Sequence, residues 1–266
     1  MLCAAVGPSR SASYYVSRQS PKDWALKTRI EGILREQPGY GSRRVAIALG
    51  RNRKPIQRVM RLFGIKAYRR RGKRFRRTRL TLTKRYPNLL LGIMPSFPGH
   101  VWVSDFTELH WKGRKLFLCT VMDLWSREVV GWSLLTTHST VLVLQALCGA
   151  LLHRPRPGIF HSDNGREYDA RAVTRLLEEA GTAISRIHPG CPWENGYQEG
   201  FYSPFKTELG DPSRFRSLGE LVAEVHRMIF TYNHTRIHSA LRMPPTVFAQ
   251  QHARRTESVS VIETVS

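Results

Sequence analysis

Residues 100–135 read HVWVSDFTELHWKGRKLFLCTVMDLWSREVVGWSLL, and they decide the fold. Three runs, VWVSDFTEL, KLFLCTVMDL and REVVGWSLL, are rich in Val, Phe, Leu and Trp, and Trp111-Lys112-Gly113-Arg114 separates the first two as a turn. Three consecutive antiparallel strands are therefore expected. Asp105 falls in the middle of the first run, between Val103 and Thr107, where a carboxylate is unfavourable in a strand. A residue that disfavours its own element points to a role other than folding.

Downstream, Ser139-Thr140 opens an apolar helix through Leu152, and Gly158-Ile159-Phe160-His161 reads as a short buried strand. Asp163 follows in a Ser-Asp-Asn-Gly turn, where taken alone it is an ordinary turn residue. Asp169 is expected to cap a helix that Gly181 ends, and TAISRI gives a fifth strand. CPWENGYQEGFYSPFKTE then reads as a helix; Glu199 and Lys206 lie seven apart, on one face and about 10 Å apart along the axis. A last helix is capped by Ser217 with Glu220 and striped by Leu221, Val222, Val225, Met228, Ile229 and Tyr232. This order of three strands, helix, strand, helix, strand, helix resembles the ribonuclease H-like fold, an α/β mixed sheet flanked by helices.

Upstream, residues 1–19 are weakly patterned. Ser20-Pro21-Lys22-Asp23 looks like a helix start, with Trp24, Ile30, Ile33 and Leu34 as an apolar stripe up to Gln37-Pro38-Gly39. Two short helices follow, one capped by Ser42 and ended by Gly50, the other opened by Pro55 and ended by Gly64. Val45, Ile47, Ala48 and Leu49 can pack on Ile56, Val59, Met60 and Phe63, leaving Lys54, Arg58 and Arg61 outward. Pattern alone gives equal weight to a DNA-binding helix-turn-helix and to a plain helical hairpin; the neighbouring charge favours DNA. From Lys66 to Arg85 eleven of twenty residues are Lys or Arg and none is acidic. Arg69, Arg70, Arg71, Lys73 and Arg74 belong to this run, which reads as an arm for a phosphate backbone. The expected domains are thus 20–65, helix-turn-helix; 66–95, basic linker; 96–250, catalytic core; and 251–266, tail.

The charge of the whole chain agrees. Its 266 residues are 41% hydrophobic, enough for a real core, and carry a net charge of +22 with a pI near 10.8. A polyanionic partner is implied, with nucleic acid first, although a ribosome-type packaging protein would show the same charge. Cys3, Cys119, Cys148 and Cys191 show no C-x-x-C pairing, so reduced thiols are expected, and His234 and His238 lack the cysteine pair of a zinc site. No ATP-binding loop of the G-x-x-x-x-G-K-[ST] kind occurs. The longest apolar stretch, from Val141 to Leu152, is too short for a bilayer; with no signal peptide expected, a cytoplasmic setting follows.

HSDNG with Asp163, PWENGYQE with Glu199, FKTE with Lys206 and the run YNHTRIHSALRMPP resemble the insertion-sequence transposases of the retroviral-integrase superfamily. The similarity is to their catalytic second-reading-frame product and covers roughly residues 40 to 250. Thirty-five residues separate Asp163 from Glu199, and a basic residue follows seven further on, a specific combination. The resemblance implies that Asp105, Asp163 and Glu199 form a metal-binding catalytic triad and that Lys206 contacts transposon-end DNA. Two Mg²⁺ or Mn²⁺ ions about 3.5–4 Å apart suit such chemistry, and carboxylates with water and phosphate suffice as ligands. Cleavage at transposon ends and strand transfer into double-stranded target DNA are the implied activity. Homo-oligomerisation on DNA is expected because two ends must meet, although no coiled-coil heptads appear.

The chain departs from the family at Gly200, where Ser is usual, at Glu194, where Asp is common, and in a short N-terminal region, which suggests a partner polypeptide for end recognition. A catalytically inactive, end-binding inhibitor is the alternative reading, and a ribonuclease H-type hydrolase a weaker third. Glu108, Asp123, Glu167, Asp169 and Glu194 are expected as surface, capping or supporting residues, and His161 as a neighbour of the site. His188 and His238 stand as DNA-approaching candidates. Trp193 and Tyr197 are helix-packing aromatics or stacking surfaces for a frayed base.

Overall fold

The computed structural model describes residues 19–68, 86–188 and 196–252 and divides into two units, residues 1–68 and 69–266. The first unit holds α1 (Gln19–Glu36), α2 (Ser42–Ala48) and α3 (Arg53–Leu62). Ile30, Val45, Ile56 and Val59 are fully buried at their centre, joined by Leu26, Tyr40, Ala46 and Met60. α2 and α3 end as expected: Gly50 and Gly64 take positive φ, and backbone bonds from Arg51 to the Ala46 carbonyl and from Ile65 to the Met60 carbonyl close each end.

Several local expectations are corrected here. α1 runs from Gln19, so Ser20 is inside it. Gly41, not Ser42, precedes α2, and α3 opens at Arg53 after Asn52 rather than at Pro55; neither start has a side-chain cap. Ser42 Oγ instead accepts from Arg53 Nε at 3.2 Å. Trp24 lies half-exposed, edge-on to Phe63 at 5.2 Å, while Leu26 takes the inward position. Lys54 and Arg61 are exposed, as the pattern implied. Arg58 is committed elsewhere: it grips the buried Asp23 through both guanidinium nitrogens, one at 2.7 Å, and holds that carboxyl below its usual range.

The second unit is built on a five-stranded sheet of β1 (Val101–Trp111), β2 (Arg114–Asp123), β3 (Val129–Leu135), β4 (Ile159–Ser162) and β5 (Ala183–Arg186), in the order β3-β2-β1-β4-β5. β1, β2 and β3 pair antiparallel; β4 joins β1, and β5 joins β4, in parallel. Lys112 and Gly113 both take positive φ, the geometry of a two-residue hairpin whose twist matches its strands. Parallel pairing requires crossovers, and the helices supply them. α4 (Thr140–His153) leads from β3 to β4; α5 (Arg166–Asp169) and α6 (Arg171–Glu179) lead from β4 to β5. Asp169 therefore closes the short α5 rather than capping the next helix, where Ala170 stands.

Strand alternation sends odd and even residues of β1 to different layers. Trp102 joins Val121, Leu142, Leu147, Phe160 and Leu177 in the layer beneath α4 and α6. Val101, Val103 and Leu109 join Leu116, Leu118 and the stripes of α7 (Gly196–Leu209) and α8 (Leu218–His234) in the other. Ser217 Oγ caps α8 by accepting from the Glu220 N–H, as the sequence indicated. Asn233, near its end, mimics a strand by bonding the N–H and carbonyl of Val129 at 2.9 Å each. Residues 245–252 are helical. Among the described residues no helix is long and apolar enough to cross a membrane, and Cys119 and Cys148 are free thiols.

Candidate active site

Asp105 shares the parity of Val103, so it faces the layer of α7. Asp163 shares it too. β1 and β4 pair Val101 with Ile159, Trp102 with Phe160 and Val103 with His161. The observed pairing stops at Val103 and His161; Asp105 lies two positions further along β1, and Asp163 two positions on, just past the end of β4.

Their electrostatics follow from this placement. Burial first, then the charge of Asp163 and that of Glu199, push Asp105 up to about 7 against the Phe106 N–H, at 2.8 Å from Oδ1, and Lys206. Three groups from far-apart stretches, Asp163, Glu199 and Lys206, therefore act on one carboxyl. Burial also raises Asp163, against the Gly165 N–H that donates to Oδ1 at 3.0 Å and the charge of Arg186.

α7 brings the third carboxylate. Its buried stripe is Gln198, Phe201, Tyr202, Phe205 and Leu209, which leaves Glu199 exposed on the flank and Lys206 half-buried. Gln198 has no exposed surface: its Nε2 donates to the Val103 carbonyl at 2.9 Å, and its Oε1 accepts from Thr120 Oγ1 at 3.0 Å. Tyr202 OH donates to the Asp105 carbonyl at 2.6 Å and lies 2.8 Å from Thr120 Oγ1, and Thr120 is the β2 residue paired with Asp105. The helix is thus bolted to the two strands at the level of Asp105. Gln198, Tyr202 and Thr120 were not singled out from the sequence, yet the helical spacing 198, 201/202, 205, 209 carried the signal.

Gly200 does not break α7, which runs continuously from Gly196 to Leu209, and a Cβ there would meet nothing within 4 Å. Pro204 also lies inside it. Proline lacks the N–H that would reach the carbonyl four residues back, which is that of Gly200.

The remaining acids have structural work. Asp123 Oδ1 accepts from the Ser126 N–H and Oδ2 from the Gly99 N–H. Glu108 pairs with His110 and Lys115, Glu167 with His138 at 2.9 Å, and Asp169 with the buried Arg186. Asp105, Asp163 and Glu199, in contrast, form no ion pair among the described residues. A donor set of carboxylate oxygens lacking a cation, two of them raised by burial, fits a hard divalent ion. Among the described residues no group of three His, Cys, Asp or Glu stands close enough to hold an ion as the side chains lie. Asp163 and Glu199 stand near enough for their charges to act on Asp105, short of a closed cage. His161 is fully buried beside this site, with Nδ1 2.8 Å from Ser185 Oγ. Arg69, Arg70, Arg71, Lys73, Arg74, Trp193 and Glu194 lie outside the described residues.

Two models of the integrase core domain match the chain, over residues 95–192 and 180–245. It is 32% identical over 240 residues to the transposase of insertion sequence IS904 from Lactococcus lactis, covering 85% of this chain and 93% of the relative. It is 33% identical over 253 residues to the putative transposase InsK of IS150 from Escherichia coli K12, covering 91% and 89%. Among solved structures it resembles a simian T-cell lymphotropic virus intasome in complex with a PP2A regulatory subunit, with a TM-score of 0.52 and 15% identity over 81% of this chain and 73% of that one. The fold is accordingly that of the ribonuclease H-like integrase cores, a class of polynucleotidyl transferases. Within that class the chain belongs to the insertion-sequence transposases, DNA transposases of the DDE type.

Proposed function

We propose that this transposase cuts phosphodiester bonds at the ends of its element and joins the 3′-hydroxyls to target DNA, with Asp105, Asp163 and Glu199 as the metal-binding carboxylates. The observation that carries the reading is that the charges of Asp163 and Glu199 both act on the buried Asp105 carboxyl, while none of the three is in an ion pair among the described residues. Mg²⁺ or Mn²⁺ bound there would supply Lewis-acid stabilisation of charge on phosphorus and an activated oxygen nucleophile.

This chain's own groups do the rest. β1 holds Asp105 and the turn just past β4 holds Asp163, while Gln198 and Tyr202 seat the helix that carries the third. Lys206, two turns along the same helix, meets a phosphate of the end DNA as a point charge. Lys54 and Arg61 on α3 present an exposed basic edge to duplex DNA; Arg58, tied to Asp23, does not contribute a free charge there. The basic run with Arg69, Arg70, Arg71, Lys73 and Arg74 adds sequence-independent phosphate contacts, so binding weakens steeply with salt. The protein works as a homo-oligomer bridging two ends, in the bacterial cytosol, with a partner polypeptide aiding end recognition.

The continuous helix through Gly200 speaks against one of the two grounds for an inactive, end-binding copy; the other, the short N-terminal region, is untouched by it. Incubating the protein and a labelled duplex copied from the DNA flanking the reading frame with Mg²⁺ or Mn²⁺ tests the proposal. Wild type should nick and Asp163→Asn should not; equal nicking by both defeats it.

A further inference from the structure

The turn between β2 and β3 is held by its own bonds. Asp123 Oδ1 accepts from the Ser126 N–H at 2.7 Å and Oγ at 3.0 Å, and the Arg127 N–H donates to the Asp123 carbonyl at 2.8 Å. Leu124 and Ser126 are buried, and Glu128 is clasped by Arg154 at 2.6 Å. From this rigid base Arg127 projects with φ 64°, a left-handed conformation that costs a long side chain energy and costs glycine none. Strain of this kind persists where something else requires it.

The Arg127 side chain contributes nothing to the turn. Its guanidinium carbon lies 4.2 Å from the centre of the Tyr197 ring. Its Nη1 is shut off from solvent with no hydrogen-bond acceptor among the described residues. Tyr197 is the second residue of α7 and stands 45% exposed, two positions before Glu199. First turns of helices are the least constrained by their own hydrogen bonds. Gln198 fastens the buried flank of this one; the outer flank is held by a cation stacked on an aromatic face.

We propose that Arg127 is a positioning residue for the reaction: by stacking on Tyr197 it holds the outer flank of the first turn of α7 and so sets where the Glu199 carboxylate stands. The inference rests on the proposed role of Glu199.

Arg127→Gly separates fold from function, because it relieves the backbone and removes the clamp together. With the full chain, Mn²⁺ and the flanking-DNA duplex, the melting temperature should equal or exceed that of wild type while kcat for nicking falls about tenfold, with KM for DNA unchanged within twofold. Tyr197→Ala should lose as much, and the double variant no more than either alone. Arg127→Lys and Tyr197→Phe, which keep the cation and the ring face, should recover most of the rate. Wild-type kcat in Arg127→Gly overturns the proposal, as do a melting temperature that falls with the rate and a double variant whose losses multiply. Asp163→Asn run in parallel keeps the two readings apart. Its nicking at the wild-type rate removes the site assignment and the clamp with it, whereas an inert Asp163→Asn beside a fully active Arg127→Gly removes the clamp alone.

Discussion

Asp105 comes from a strand, Asp163 from the turn just past a strand and Glu199 from a helix, and the sheet and the helix give carboxylates of different character. The sheet pair is half-buried and raised in pKa, beside a ladder that also carries the core. Glu199 is exposed, on a helix whose hold on the sheet runs through a few side chains. The sheet thus fixes two ligands in advance, and the helix delivers a third whose aim depends on what seats it.

The largest test of that contrast removes each kind in turn. Asp105→Asn and Glu199→Gln should both lower Mn²⁺-dependent nicking about a thousandfold or more, because the members of a catalytic set fail as a unit. Retention of activity in either breaks the comparison by showing that one support is dispensable. Next in size, Gln198→Leu strips a partner from the buried Val103 carbonyl and Thr120 hydroxyl, and should cost about 1–3 kcal/mol in urea unfolding together with most of the nicking rate. An unchanged midpoint would mean that the helix is seated by its apolar stripe alone.

The sheet pair should also announce itself through pH. Asp105 has a folded pKa raised to about 7 from an ordinary value of 3.8, so the folded protein holds a proton that the unfolded chain gives up. Its contribution to stability is complete below about pH 4 and is lost as pH climbs through 7. Asp105→Asn should therefore raise the melting temperature of the metal-free protein at pH 8 by several degrees, at about 2–4 °C per kcal/mol, and by less at pH 5. A pH-independent effect of Asp105→Asn would undo the distinction. Smallest is Gly200→Ala, which fills open space on the exposed flank and should stabilise by about 0.5–1 kcal/mol in thermal unfolding. A loss there would mean that the carbonyl left without its bond by Pro204 needs the freedom of glycine.

Much of the fold was legible because the signals were local: alternation in β1 to β3, the Lys112-Gly113 turn, the glycines that stop α2 and α3, the Ser217 cap. Asp105 was legible as a residue its own strand would not choose. What escaped notice depended on distance. Asp23 looked like a helix-start acid, and its tie to Arg58, 35 positions on, is a tertiary bond that no local pattern encodes. Gln198 sat unnoticed beside Glu199, because a buried amide declares itself only through the strand groups it meets. Asp169 fits a cap by type, yet the chain turns once more after it, at Ala170. The neighbourhood of Asp105 and Asp163 follows from the parallel pairing of β1 with β4, which sequence separation alone does not reveal.

That pairing has a consequence for how such proteins can vary. The residues of β1 and β4 that lead into the two aspartates are matched by pairing across the sheet, not by the length of chain between them, so residues may be gained or lost in the connection through α4 without disturbing the match. A slip of a single position within β4 is another matter: it would turn the strand that leads into Asp163 to the opposite side of the sheet. Relatives of this chain should therefore tolerate ragged lengths between the two strands and none inside them.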